Sequence, residues 1–289
     1  MPTKIEKDAI TGTQTTGHEW DGIKELDTPL PRWWLWTLYV CIAFAVGYWI
    51  LYPAWPSLHG YTRGILGWSQ YRHLADEMHE ADQAKAGYLD KIKSASLEQI
   101  IADKQLLDFA QAGGRAAFAD NCTPCHGAGG AGAKGYPNLA DDDWLWGGKI
   151  EQIYTTIQFG ARSGNPKAHS TDMPRFGADG ILKAEEISDV ADYVLSFSGT
   201  KADAQALARG AKIFADNCAV CHGEKGEGNP DIGAPRLNDS IWLYGGDKAT
   251  VVETITNARR GVMPTWVARL PDTTIKMLAV YVHSLGGGQ

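Results

Sequence analysis

The chain of 289 residues carries one stretch of sequence twice, and that duplication limits the fold more than any other feature. FADNCTPCHG at 118–127 matches FADNCAVCHG at 214–223, an offset of 96 residues. NLADDDWLWGG at 138–148 matches RLNDSIWLYGG at 236–246, and TTIQFGAR at 155–162 matches ETITNARR at 253–260, both at an offset of 98. The offset then contracts to 90 where DMPRF around Met173 meets VMPTW around Met263, and to 88 where YVLSFSG at 193–199 meets YVHSLGG at 281–287. The first copy therefore carries about eight extra residues, placed in RSGNPKAHST ahead of Met173. Two copies of this size predict two small tandem domains rather than a solenoid, with the linker near 199–206.

Each copy contains Cys-x-x-Cys-His: Cys122, Cys125 and His126, then Cys218, Cys221 and His222. Such a pentapeptide reads as covalent attachment of a c-type haem. Two thiols add across the two vinyl groups on one porphyrin edge, and the next residue turns an imidazole up to the iron. A thioredoxin-like redox pair would need a strand before the motif, whereas ARGAKIFADN reads as helix. A zinc site joining the two pairs would leave both histidines unexplained. The fifth cysteine, Cys41, stands alone, which argues against a plain disulfide framework.

Met-Pro occurs once per repeat, at Met173-Pro174 and Met263-Pro264, in a chain with only five methionines. A thioether is a soft, neutral ligand that favours ferrous iron and closes the coordination shell. Met173 and Met263 are therefore the candidate sixth ligands. Met78 and Met277 have no repeat counterpart and read as packing; His169, in the insertion, is the rival ligand in the first copy, and His283 reads as structural.

Ahead of the repeats, WWLWTLYVCIAFAVGYWILY at 33–52 is uncharged. Twenty residues at ~1.5 Å rise span ~30 Å, the thickness of a bilayer core. Trp33, Trp34 and Trp36 at one end, and Tyr48, Trp49, Tyr52 and Trp55 at the other, resemble aromatic belts. The run is too long and too late for a cleaved signal, so it predicts an uncleaved anchor. Lys24 and Arg32 before it balance Arg63 and Arg72 after it, so charge gives no orientation. Residues 53–108 predict a helical stalk, in which His59, His73 and His79 read as solvated. The chain is acidic, net −7, with no basic cluster, which excludes a nucleic-acid partner. A mean hydropathy of −0.26 excludes a polytopic membrane protein.

Helix, CxxCH, Pro-x-Leu, Trp, helix, Met-Pro and C-terminal helix follow one another in an order that resembles the class I cytochrome c domain, twice over. The resemblance implies that the carbonyls of Pro137 and Pro235 orient His126 and His222, and that Trp144 and Trp242 line the haem edges. It makes Arg162 and Arg260 candidates for the haem propionates or plain surface cations. The C-terminal helices, 185–196 and 272–284, are expected to pack across the N-terminal ones. By default each methionine pairs with the histidine of its own repeat; exchange between repeats is geometrically open and not decided by sequence.

With its acidic tail, Trp-rich anchor and stalk, the whole chain resembles the dihaem subunit of cbb3-type cytochrome c oxidases. That likeness implies a mainly α protein: a cytoplasmic tail (1–32), a transmembrane helix (33–52), a stalk (53–108) and two cytochrome c domains (109–199 and 206–289). It implies two haem c groups, attached through Cys122, Cys125, Cys218 and Cys221, with His126, Met173, His222 and Met263 as axial ligands. The expected activity is electron transfer from a donor cytochrome c to the other subunits of a membrane oxidase, with no bond-making residue of its own. Haem attachment on the outer side of a bacterial inner membrane puts the haem domains in the periplasm and the N-terminus in the cytoplasm. The acidic first repeat suits a basic donor. An anchored carrier serving a periplasmic dehydrogenase is the alternative. Two intact Met-Pro elements oppose a peroxidase, and the absence of a following signalling domain opposes a haem sensor.

Overall fold

A computed structural model describes residues 4–287, almost all of their regular structure helical. The chain divides into a unit ending at Ala84 and a second from Lys85 onward.

In the first unit, β1 (Thr15–Trp20) and β2 (Ile23–Leu26) form an antiparallel hairpin with Trp20 opposite Ile23. Asp21 and Gly22 both take positive φ, 49° and 83°, as a two-residue hairpin turn demands. The tail expected at 1–32 is thus partly a folded hairpin, and the Asp-Gly pair was its readable signal. α1 (Arg32–Leu51) matches the expected span within a residue and begins after Pro31. It is long and apolar enough to cross a membrane, and none of its residues is buried. Beyond it the chain turns back: Ile65 and Leu66 donate their amides to the carbonyls of Ile50 and Leu51. This return encloses a small ladder of β3 (Pro56–Ser57) and β4 (Gly60–Tyr61). α2 (Gln70–Ser94) begins in this unit and ends in the next.

In the second unit the end of α2 buries Ile92, and Tyr88 stacks on Phe109 at 4.8 Å. Lys276 donates to the carbonyls of Ile92, Lys93 and Ala95 at 2.8–3.1 Å, a cation on a helix C-terminus. α3 (Leu97–Ala102) starts at a capping box of Ser96 and Gln99, and α4 (Lys104–Asn121) at the Asp103 carboxylate. The haem motif follows as one turn, α5 (Thr123–His126), then a glycine-rich loop and α6 (Ile150–Phe159). α7 (Ala184–Ser196), α8 (Ala204–Asn217), α9 (Ala219–His222), α10 (Lys248–Asn257) and α11 (Asp272–His283) complete the chain.

These helices pack into two bodies, and each body draws on unexpected sequence. α11 crosses α4 and lies against α6, while α7 crosses α8 and lies against α10. One core joins Ile92, Ile100, Phe118 and Ile153 to Ile275, Leu278 and Val282. The other joins Phe176, Ile187, Val190 and Val194 to Phe214, Val251 and Ile255. The repeats read as 109–199 and 206–289 are therefore not the packed bodies: each body takes its N-terminal helix from one repeat and its C-terminal helix from the other. The connection explains the choice. Only seven residues, 197–203, separate α7 from α8, and a short connection folds consecutive helices back on each other as neighbours.

The two crossings use equivalent residues. A Cβ on Gly114 would lie 2.2 Å from the Met277 carbonyl oxygen, and one on Gly210 2.2 Å from that of Asp189. Glycine lets each helix pair approach backbone to backbone. Beside the glycines, Phe118 packs on Tyr281 at 5.4 Å between centroids and Phe214 on Tyr193 at 5.5 Å.

Candidate haem-binding sites

Each haem motif is a single helical turn begun by its first cysteine. Cys125 and His126 donate their amides to the Cys122 carbonyl at 3.1 and 2.9 Å; Cys221 and His222 do the same to Cys218 at 3.1 and 3.0 Å. Gly127 and Gly223 end the turns with positive φ, 74° and 78°. None of the four thiols is in a disulfide. Burial pushes the Cys122 and Cys218 thiols up to about 11, the second cysteine of each pair adding to the effect, so both are neutral at physiological pH.

The imidazole Nδ1 of His126 lies 3.1 Å from the Pro137 carbonyl oxygen, and that of His222 lies 2.9 Å from Pro235. A carbonyl only accepts, so Nδ1 carries the proton and Nε2 keeps a free lone pair. Burial lowers both histidine pKa values, and the proline carbonyls oppose this more weakly. Both rings are thus neutral, held in one tautomer, and ready to ligate a metal. The roles expected of Pro137 and Pro235 match the observed bonds.

A cavity of about 750 Å³ opens in the second body, lined among others by Cys218, Cys221, His222, Met173, Trp242 and Val251. Its volume lies in the range of cofactor pockets, ~300–1,000 Å³. Two thiols, a neutral imidazole and a thioether on one apolar cavity are the donor set a c-type haem requires. In the first body, Cys122, Leu139, Trp144 and Met263 pack against the core that α4, α6 and α11 share. Met263 arrives there on a segment bridged to Ala161, each donating its amide to the other's carbonyl at 2.9–3.1 Å.

The methionines have therefore changed places relative to the default pairing. Met173, from the first repeat, shares a cavity with His222; Met263, from the second, packs in the body that contains His126. The rival ligand His169 has Nε2 3.0 Å from the Thr156 hydroxyl and its ring stacked on Trp146 at 4.1 Å. Met277 is buried in the first core and Met78 lies exposed on α2, as packing and surface residues. Trp144 donates its indole N–H to the Gly287 carbonyl. No cluster of metal-ligating side chains lies on the stalk among the described residues, and His73 pairs with Glu77 at 3.5 Å.

Sequence reasoning missed that the loop bearing Pro137 also walls the second cavity. Residues 131–134 and 136–138 line it, and Gly135 donates its amide to the Leu243 carbonyl at 2.8 Å. Gly132 and Gly135 take positive φ in that loop, 73° and 86°. Behind it, Asp143 rises to about 6, mainly by burial and then by the carboxylates of Asp239 and Asp141, with Arg236 opposing.

Two bodies, each with a CxxCH turn, a carbonyl-anchored histidine and a methionine, following one apolar helix, define a membrane-anchored dihaem c-type cytochrome. Family models match the N-terminal domain of cytochrome oxidase-cbb3, FixP, over residues 12–59, cytochrome c over 111–198, and cytochrome c oxidase, cbb3-type, subunit III over 205–282. The chain is 55% identical, over the full length of both chains, to the cbb3-type cytochrome c oxidase subunit FixP of Bradyrhizobium sp. (strain ORS 278). It is 55% identical, again over both full lengths, to subunit CcoP of Cereibacter sphaeroides, and 56% identical to FixP of Azorhizobium caulinodans over 98% of this chain and 96% of that one. The chain belongs to the FixP/CcoP family of cbb3-type cytochrome c oxidase subunits, and its two cytochrome c modules hold two c-type haems.

Proposed function

We propose that this chain takes electrons from a donor cytochrome c and passes them through its two haems to the catalytic subunits of a cbb3-type oxidase. The observation that carries the reading is the pairing of a neutral, carbonyl-anchored histidine with a methionine on one cavity, inside a chain whose full length matches oxidase subunits. Each haem supplies reversible one-electron exchange at its iron. Cys122 and Cys125 would hold the first group by thioether bonds, and Cys218 and Cys221 the second. His126 and Met263 would hold the iron of the first, and His222 and Met173 that of the second. Pro137 and Pro235 fix the imidazole planes, which keeps reorganisation small when the iron changes charge. As ligands the Met173 and Met263 thioethers would favour the reduced state and leave no open site for oxygen or peroxide, so no bond-making residue is required. Haem attachment outside the bacterial inner membrane places both bodies in the periplasm and the hairpin in the cytoplasm, with α1 between them.

Purification from membranes in mild detergent, with reduced-minus-oxidised and carbon monoxide difference spectra, tests this reading. Two c-type haems per chain, silent to carbon monoxide and travelling with CO-binding b-type haem, are expected. Two c-type haems that never co-purify with b-type haem would overturn the oxidase assignment.

A further inference from the structure

The two methionine segments meet where the chain crosses between bodies, and one side chain reaches both. Arg162 Nε donates to the Gly261 carbonyl at 2.6 Å, and its Nη1 donates to the Thr171 carbonyl at 3.1 Å. Gly261 stands two residues before Met263, and Thr171 two residues before Met173. The guanidinium also lies 3.8 Å from Asp172, which in turn pairs with Arg260, the counterpart of Arg162 in the second repeat. Arg162 is only 21% exposed, against 55% for Arg260.

The backbone around Arg162 is committed to the same place. Ala161 pairs with Met263 on one side, while Arg162 donates its amide to the His169 carbonyl at 2.7 Å and His169 donates to Gly160 at 3.1 Å. His169, locked by Thr156 and Trp146, belongs to the insertion that the second repeat lacks. Arg162 itself takes a left-handed φ of 53°, which an L side chain adopts only where its surroundings hold it there. The extra residues of the first repeat thus brace Gly160 and Arg162, on either side of the Ala161 bridge to Met263, and the guanidinium reaches on to the segment that carries Met173.

We propose that Arg162 is a positioning residue shared by both haems, tying the two axial-methionine segments to one planar fork. The inference rests on the axial roles given to Met173 and Met263. A guanidinium presents several donors in fixed directions and can serve two carbonyls from different segments at once; an ammonium of similar length is a single point donor. The iron–thioether bond needs the sulfur delivered within reach, so a loosened segment weakens it, lowers the potential and opens the iron to carbon monoxide. A shared tie makes both haems respond to one substitution, whereas a propionate partner or a surface cation would leave both methionine bonds intact.

The test uses the full chain in its purified complex, with haem-resolved redox titration and the far-red methionine–iron charge-transfer band of each oxidised c-type haem. Arg162→Gln is expected to retain two covalent haems while weakening both methionine bands and lowering both potentials. Arg162→Lys is expected to recover one band and not both, and Arg260→Gln to change only the haem attached through Cys218 and Cys221. Arg162→Gln with both bands and both potentials unchanged overturns the proposal, as does a change confined to one haem. If that variant fails to assemble, Arg162→Lys decides: two bands at full strength and unshifted potentials overturn it. Absence of a methionine band in the unsubstituted chain would instead overturn the axial assignment, and so is distinguishable from failure of the tie.

Discussion

The two haem bodies are written with one pattern but finished differently. Both use a glycine crossing, a phenylalanine–tyrosine contact, a CxxCH turn and a proline carbonyl on the histidine. The first adds α3 and the end of α2, closed by Lys276 reaching from α11. The second consists of α7 to α10, and its cavity borrows a wall from the glycine loop of the first repeat. The comparison separates what a repeat encodes from what its surroundings choose. The glycine and phenylalanine of the crossing are encoded in both copies; Gly113 against Met277, Arg209 on Asp189, Lys276 on the end of α2 and the seven-residue connection between α7 and α8 are where the copies differ.

The most direct way to break this picture is at the two methionines proposed as axial ligands. Met263→Ala is expected to abolish the methionine band of the haem attached through Cys122 and Cys125, leaving the other haem as it was. Its potential should fall on the order of 0.1 V, a fraction of the ~0.8 V that axial ligands span. Met173→Ala should do the reverse. If Met263→Ala acts on the haem at Cys218, the exchange of methionines is wrong.

A double-mutant cycle sharpens the same point without using the irons. Phe118 and Phe214 are buried at the two crossings, so alanine at either should cost about 3–5 kcal/mol in denaturation. Phe118→Ala should couple to Tyr281→Ala and be additive with Tyr193→Ala, because residues in contact couple and distant ones do not. Coupling of Phe118 to Tyr193 would mean that the repeats pack within themselves.

Gly210→Ala forces a methyl group onto the Asp189 carbonyl and should cost about 1–3 kcal/mol, the usual range for overpacking. Hydrogen exchange should rise along α7 and α8 while α4 and α11 stay protected. Equal loosening of both bodies would show that they do not unfold as separate units.

The smallest expected effect concerns Asp143, at the seam between the repeats. Its folded pKa of about 6 lies above the ordinary carboxylate range, so the folded chain holds this proton to higher pH than the unfolded one. Stability from this group therefore falls as pH rises from about 4 to 6 and stays lower above that. Asp143→Asn should flatten that decline by no more than about 1 kcal/mol, given its partial exposure to solvent. An unchanged pH profile of the melting temperature would remove Asp143 from the seam's electrostatics.

Much of the molecule was legible before any coordinates. The span 33–52 became α1 within one residue because twenty uncharged apolar positions have few other fates. The helices 185–196 and 272–284, like the proline carbonyls, came from the resemblance to cytochrome c domains. The N-terminal hairpin was missed although Asp21-Gly22 marks its turn, since four exposed residues in β2 leave no alternation to detect. Arg162 was singled out only as a propionate or surface candidate, because its carbonyl partners are nine and ninety-nine residues away in sequence.

By itself the sequence determined the chemistry: two CxxCH turns, two Met-Pro elements, one apolar span and the repeat that relates the halves. Those are local, fixed by spacing within a few residues, and they bounded the donors before any packing was known. Packing, not sequence, put Met173 in the body of His222 and Met263 in the body of His126. The crossings share a glycine and an aromatic pair but differ beside them, Gly113 facing Met277 in one and Arg209 pairing with Asp189 in the other. Those contacts join residues distant in sequence, as do the hydrogen bonds of Ala161 and Arg162 to the segment around Met263, and a short connection folds α8 onto α7.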